Sequence, residues 1–309
     1  MSEKIVFMGT SYFAVPILKS LYQNGFEVLA VYTQPPKKSN RGQKVNKSPI
    51  HLFAETLNLD IRTPPTLLNN QEELNFLKNL NFDLAVVVAY GQIIPNDILN
   101  CSRKKFINIH ASLLPKWRGA APIQRAITNL DVETGISIMK IKEKLDTGPV
   151  CNIYKTRILN NENSEELSAR LSNLAAEKIL QNIEEILEDK VKFVEQKHSE
   201  ATYAKKVEKL EGKIDWKNDA EKIIGKINGF YPSPGAWFSF NGKRYKILKA
   251  LLSASKGKPG YVLDENLEIA CGSNSLKILE IQREGKRVQK TNEFILGTKI
   301  KIGSKLDDV

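Results

Sequence analysis

Cysteine is scarce in this 309-residue chain: Cys101, Cys151 and Cys271 stand far apart and form no Cys-x-x-Cys pair. That speaks against a disulfide framework and a structural zinc site, and suits a reducing compartment. Long apolar runs are also missing. The opening MSEKIVFMGTSYFAVPILKSL meets Glu3 and Gly9 before such a run can build, so it does not read as a secretory signal. Nothing later approaches the about 20 apolar residues of a membrane span. A cytoplasmic protein is expected. The first strand ends at Gly9, but GTSYFA (9–14) lacks the second and third glycines of a dinucleotide-binding turn, which argues against a nicotinamide cofactor. Acidic residues are in deficit, leaving a net charge of +11, and the deficit is uneven. Residues 201–309 hold 21 Lys/Arg against 13 Asp/Glu, whereas the first 200 hold 25 against 22. A basic C-terminal third suits a polyanionic partner, with nucleic acid foremost, although a general lysine bias produces the same excess.

What is present divides the chain in two. KIVFMG (4–9), EVLAVYT (27–33), DLAVVVAY (83–90) and KFINIH (105–110) are short apolar runs separated by helical patterns. They imply βαβ units and a Rossmann-like, mostly parallel sheet, with 83–90 buried on both faces. GISIMKI (135–141) and VCNIYKTRI (150–158) flank the turn KEKLDTGP and read as an antiparallel pair at one edge. A helix is predicted over 164–187, with Ser164 as its N-cap and Glu165 and Glu166 in the first turn. Residues 190–205 are polar and read as a linker between a domain at 1–189 and a second at 206–309. Beyond it, strands are expected at 237–250, 260–271, 276–282 and 298–303, with one helix near 218–229. Many short strands in a basic domain suggest a small β-barrel of the OB type. Trp216 in GKIDWKN reads as an anchoring hydrophobe, and YPSPGAWF as a rigid turn feeding the first barrel strand.

The densest stretch is NIHASLLPKWRGAAPIQRAI (108–127). Asn108 and His110 are two apart at the carboxyl end of a strand, so their side chains share a face, and such strand ends are where open parallel sheets bind ligands. An imidazole exchanges protons near neutral pH and a carboxamide donates to a developing oxyanion. A histidine there can equally cap the strand through a hydrogen bond. Asp146, in the turn LDTGP, is the residue that could orient the imidazole if the turn folds over it, though Asp also favours turns for local reasons. TQPPKKSNRGQKVNKSP (33–49) carries Lys37, Lys38, Arg41, Lys44 and Lys47, with no acidic residue between Glu27 and Glu55. So long a basic connection in an α/β domain suits phosphate contact, and a solvated excursion is the plainer reading.

Asn108, His110 and Asp146 with SLLP (112–115) resemble the signature of the 10-formyltetrahydrofolate-dependent formyltransferases. PKWRGAAPIQRAI, LDTGP, the NRG of the basic segment and the C-terminal domain resemble the members that formylate methionyl-tRNA. The resemblance runs from FMGTSYFA to about YPSPGAWF, and more loosely beyond. It implies direct attack of the methionine α-amine of charged initiator tRNA on the formyl carbon of the folate, without an acyl-enzyme and without a metal. It implies that Asn108 stabilises the oxyanion, that His110 handles protons, and that Asp146 holds His110. Ser112, Leu113, Leu114 and Pro115 would line the folate pocket. Lys37, Lys38, Arg41, Lys44 and Lys47 would reach the tRNA, Arg41 foremost, while the C-terminal domain grips its backbone. A monomer is expected. A formyltransferase for a small amine, a formyl-folate hydrolase and a non-catalytic RNA-binding protein are the alternatives.

Overall fold

The computed structural model describes residues 3–39, 44–104 and 106–306. They form two compact units: Met1–Ala120 with Gly135–Thr156 and Ser168–Tyr203, and Ala121–Thr134 with Arg157–Leu167 and Ala204–Val309.

Strands β1 (Lys4–Gly9), β2 (Glu27–Tyr32), β3 (Ile61–Arg62), β4 (Leu84–Val88), β5 (Phe106–His110), β6 (Glu133–Lys140) and β7 (Val150–Arg157) make one sheet in the order β7-β6-β5-β4-β1-β2-β3. A strand without a polar face must be covered on both sides. β4, LAVVV, is buried at every position and occupies the centre. β1 to β5 pair in parallel, whereas β6 runs antiparallel to β5 with His110 opposite Ser137. The expected edge pair β6 and β7 is therefore present. Helices Val15–Gln23, Pro49–Thr56 and Gln71–Leu80 form the connections.

Strand order reverses at β1, with β2 on one side and β4 on the other, which opens a crevice at the carboxyl ends. Three of those ends are tied together: Thr10 Oγ1 donates to the Tyr90 carbonyl at 2.8 Å, and Gln34 Nε2 to the Gly91 carbonyl at 2.9 Å. Gly9 is needed for packing, since a Cβ there would lie 2.9 Å from both Ala14 Cβ and the Phe7 ring.

The helix Ser164–Leu187 has the expected length, but its cap lies one residue earlier. Asn163 Oδ1 accepts from the Glu165 and Glu166 N–H groups, and the Glu166 carboxylate accepts from Asn163 N, all at 3.0 Å. This reciprocal box satisfies the first-turn donors, and Ser164 Oγ is free to donate to the Tyr231 carbonyl at 2.6 Å.

The second unit is built on β8 (Ala236–Phe240), β9 (Lys243–Ser253), β10 (Glu268–Ala270), β11 (Ser275–Arg283) and β12 (Val288–Lys290), paired in the order β8-β9-β11-β10 with β12 also on β11. All these pairs are antiparallel, and the β9–β11 register shifts on both sides of Lys249, an irregularity that bends a long strand. The concave core holds Trp216, Phe238, Tyr245, Ile247 and Ile281, with the Phe238 and Tyr245 rings stacked at 5.4 Å. Trp216 is the expected anchor. Two strand expectations fail. Within 260–271 only β10 and the bridges at Tyr261 and Val262 pair, and 298–303 forms no strand. In that last stretch Ile300 is buried but Ile302 is exposed, so its alternation buries one side chain without a ladder partner.

Candidate active site

β5 alternates faces, so Ile107 and Ile109 enter the core on one side while Phe106, Asn108 and His110 point to the other. The Asp146 turn closes over that second side. His110 Nδ1 lies 3.6 Å from Asp146 Oδ2, with both side chains about nine-tenths buried. Asn108 Nδ2 lies 3.5 Å from Asp146 Oδ1, at the limit of a hydrogen bond. The structure thus brings together the three residues that sequence spacing alone could not. His110 Nε2 is 2.9 Å from the Trp117 carbonyl. A carbonyl can only accept, so Nε2 carries a proton and Nδ1 faces the carboxylate. A second proton on the imidazole would lie against Asp146, a geometry suited to taking up and returning a proton.

The backbone around these groups is unusual. Trp117 (φ 59°), Gly119 (φ 122°) and Asp146 (φ 51°) all adopt positive φ. The Gly119 N–H donates to Asp146 Oδ2 at 2.8 Å, fixing the same oxygen that faces His110. Next to it Arg118 is 2% exposed, the largest fully buried side chain in the chain's described residues. Its Nε and Nη2 both donate to Gln196 Oε1, at 3.0 and 2.7 Å, and Nη2 reaches His198 Nδ1 at 3.0 Å. Gln196 Nε2 in turn donates to the carbonyls of Asp146 at 2.9 Å and Gly148 at 2.7 Å. Gln196 and His198 come from the stretch read as a linker. No periodicity marks them, and only an isolated glutamine amid charged residues sets the first apart. Gly148 admits no side chain, because a Cβ would fall 1.8 Å from the Lys140 carbonyl.

A cleft of about 650 Å³ borders this turn and is lined by Lys142, Glu143, Lys144 and Thr147 together with Arg118 and His198. Its lining mixes apolar side chains such as Leu99, Phe106 and Ile141 with polar and charged ones. Ser112, Leu113, Leu114 and Pro115 are not among the residues described as lining it. Their turn is pinned from behind: Ser137 Oγ donates to the Ser112 carbonyl at 2.7 Å and accepts from Leu114 N at 3.1 Å, and Ser112 Oγ donates to the Lys116 carbonyl at 2.6 Å. Among the described residues no group of three or more His, Cys, Asp or Glu is placed to hold a metal ion, and no helix is long and apolar enough to cross a membrane.

Within the basic segment, Lys37–Ser39 pairs antiparallel with Lys44–Asn46. Lys37 Nζ donates to Gln34 Oε1 at 3.1 Å, and Lys47 is paired with Glu55, which it holds below the usual carboxylate range. Arg41 lies outside the described residues, as do the side chains of Lys38 and Lys44. In the second unit, Arg125 of the same dense motif binds Glu211 through two nitrogens, at 2.6 and 3.0 Å. Its helix Pro122–Thr128 packs on Ala220–Gly229, where Gly225 and Gly229 make room for Leu130 and Thr128.

Residues 3–183 match the family described as Formyl transferase, and residues 206–299 match Formyl transferase, C-terminal domain. A methionyl-tRNA formyltransferase of Pelagibacter ubique is 62% identical over 310 aligned positions, covering 100% of both chains. One of Ruegeria pomeroyi is 42% identical over 98% of this chain and 100% of its own. Among solved structures, the fold is shared with an N-formyltransferase from Helicobacter canadensis in complex with folinic acid and dTDP-3-aminofucose. That similarity has a TM-score of 0.70 at 20% identity and covers 92% of this chain and 100% of that one. With both domains matched and a full-length relative at 62% identity, the chain belongs to the methionyl-tRNA formyltransferase family of formyl transferases.

Proposed function

We propose that this protein transfers the formyl group of 10-formyltetrahydrofolate to the α-amine of the methionine on initiator Met-tRNA, acting in the cytoplasm as a monomer. The observation that carries the reading is the convergence of Asn108, His110 and Asp146 within 3.6 Å contacts at the carboxyl end of β5. The amine nitrogen bonds to the formyl carbon as the bond to folate N10 breaks, so one proton must leave the amine and one must reach N10. His110 carries that proton, and the Asp146 carboxylate steadies the imidazolium while it does. Asn108 donates to the oxygen that gains negative charge. The folate occupies the cleft beside the Asp146 turn; Ser112, Leu113, Leu114 and Pro115, which the family resemblance assigns to the folate pocket, lie outside the residues that line the cleft itself.

The acceptor is a tRNA because the full-length relatives are methionyl-tRNA formyltransferases, and the basic second unit and the segment with Lys37, Lys38, Arg41, Lys44 and Lys47 carry the charge that phosphates attract. The pairing of Lys47 with Glu55 makes Lys37 and Arg41 the stronger candidates for phosphate contact. We place the catalytic role in residues 1–189 and tRNA binding in residues 206–309, joined by 190–205. Incubation with 10-formyltetrahydrofolate and either initiator or elongator Met-tRNA tests the reading directly. Formyl-methionine should form on the initiator. Formate released without formyl-methionine would favour a hydrolase, and no turnover of folate would remove the enzyme reading altogether.

A further inference from the structure

Resting on that reading of the site, we propose that Arg118 and Gln196 act as a positioning pair that holds the Asp146 carboxylate against His110. Arg118 is almost fully buried, and among the described residues no carboxylate lies at ion-pair distance from it. A guanidinium taken out of water without a counter-charge is costly, so its place in the fold calls for a reason other than stability. Two of its nitrogens chelate a single oxygen, Gln196 Oε1. That grip fixes which way the amide faces. With Oε1 bound to Arg118, the Gln196 NH₂ group can only point the other way, where it donates to the carbonyls of Asp146 and Gly148.

Those two carbonyls bracket Thr147, so one amide spans the turn that Asp146 occupies at φ 51°. The loop then closes, because the Asp146 carboxylate accepts from the N–H of Gly119, the residue after Arg118. The circuit runs from Arg118 through Gln196 to the Asp146 backbone, and from the Asp146 side chain back to Gly119. His110 faces the same carboxylate oxygen. A glutamate at 196 would give Arg118 a stronger partner. It would have no hydrogen to offer the two carbonyls. The amide is therefore the one group of this shape that serves both ends.

Gln196→Glu separates positioning from folding, because it keeps a partner for Arg118 and removes only the two donations to the turn. With initiator Met-tRNA and 10-formyltetrahydrofolate, kcat should fall about 100-fold, the scale of a misplaced catalytic group. KM for Met-tRNA should stay within about twofold, since Gln196 belongs to neither the basic segment nor the second unit. The ¹⁵N signals of the His110 imidazole, read without substrate, should shift in the variant. Should Gln196→Glu fail to fold, Gln196→Met keeps the volume and should show the same loss of kcat and the same displaced signals. Wild-type kcat in either folded variant, a rise in KM at unchanged kcat, or unmoved imidazole signals would overturn the inference. Wild-type protein that formylates nothing would overturn the functional reading instead, and the imidazole spectra would still decide this one.

Discussion

Arg118 and Arg125 belong to one motif, WRGAAPIQRAI, yet they are held in opposite ways. In the first unit Arg118 is buried against a neutral amide and an imidazole. In the second, Arg125 makes two hydrogen bonds to Glu211 and donates to the carbonyls of Lys205 and Lys206. A guanidinium paired with a carboxylate contributes mainly to stability, whereas one that organises an amide next to the Asp146 turn contributes mainly to geometry. Neither arginine is a free cation for RNA. The motif that most sharply suggests a tRNA acceptor is thus occupied with building the molecule, and phosphate contact falls to other residues.

The largest effect separating the two regions should come from His110→Ala, which removes the proton carrier. Turnover should drop about 1,000-fold, while tRNA binding measured by filter retention stays close to wild type. Next comes Glu211→Gln in the other unit. It should cost about 1–2 kcal/mol of stability, for a well-formed but partly exposed ion pair, and leave kcat near wild type below the melting transition. The same pair has a pH signature. Hydrogen bonds from Arg125 lower the Glu211 carboxyl below its ordinary range, against the opposing effect of burial. Its contribution is complete above the unfolded carboxylate value, about 4.3, and is lost as pH falls through the lower folded value. Urea unfolding midpoints of Glu211→Gln should therefore depend less on pH in the acid range than those of wild type. A smaller contrast lies in the thiols. Burial pushes Cys151 in the first unit up to about 11 and Cys271 in the second up to about 12. Thiol reagents followed by mass spectrometry should label part-exposed Cys101 first and Cys271 last, and early labelling of Cys271 would show that the second unit opens more readily than its core suggests.

The parallel sheet was legible because its strands are short apolar runs that only a doubly covered position accommodates, β4 above all. Asn108 and His110 were legible as a pair from the two-residue period of a strand. Asp146 was legible as a candidate from its turn, but its approach to His110 was not, for that depends on a turn folding back from 36 residues downstream. Gln196 and His198 escaped because an amide that locks a turn has no periodic pattern, only a tertiary address. The stretch 298–303 misled for the converse reason: its alternation is genuine, but no partner strand takes it up. In the basic segment, charge was readable and pairing was not, so Lys47 looked free until Glu55 was placed beside it.

The most direct test of the central claim is single-turnover formyl transfer to initiator Met-tRNA by Asp146→Asn. The asparagine keeps the shape of the turn, the two carbonyl acceptors for Gln196 and an oxygen for Gly119, but removes the charge facing His110. The rate should fall about 100-fold or more below wild type, with unchanged tRNA affinity. A rate equal to wild type would contradict the claim.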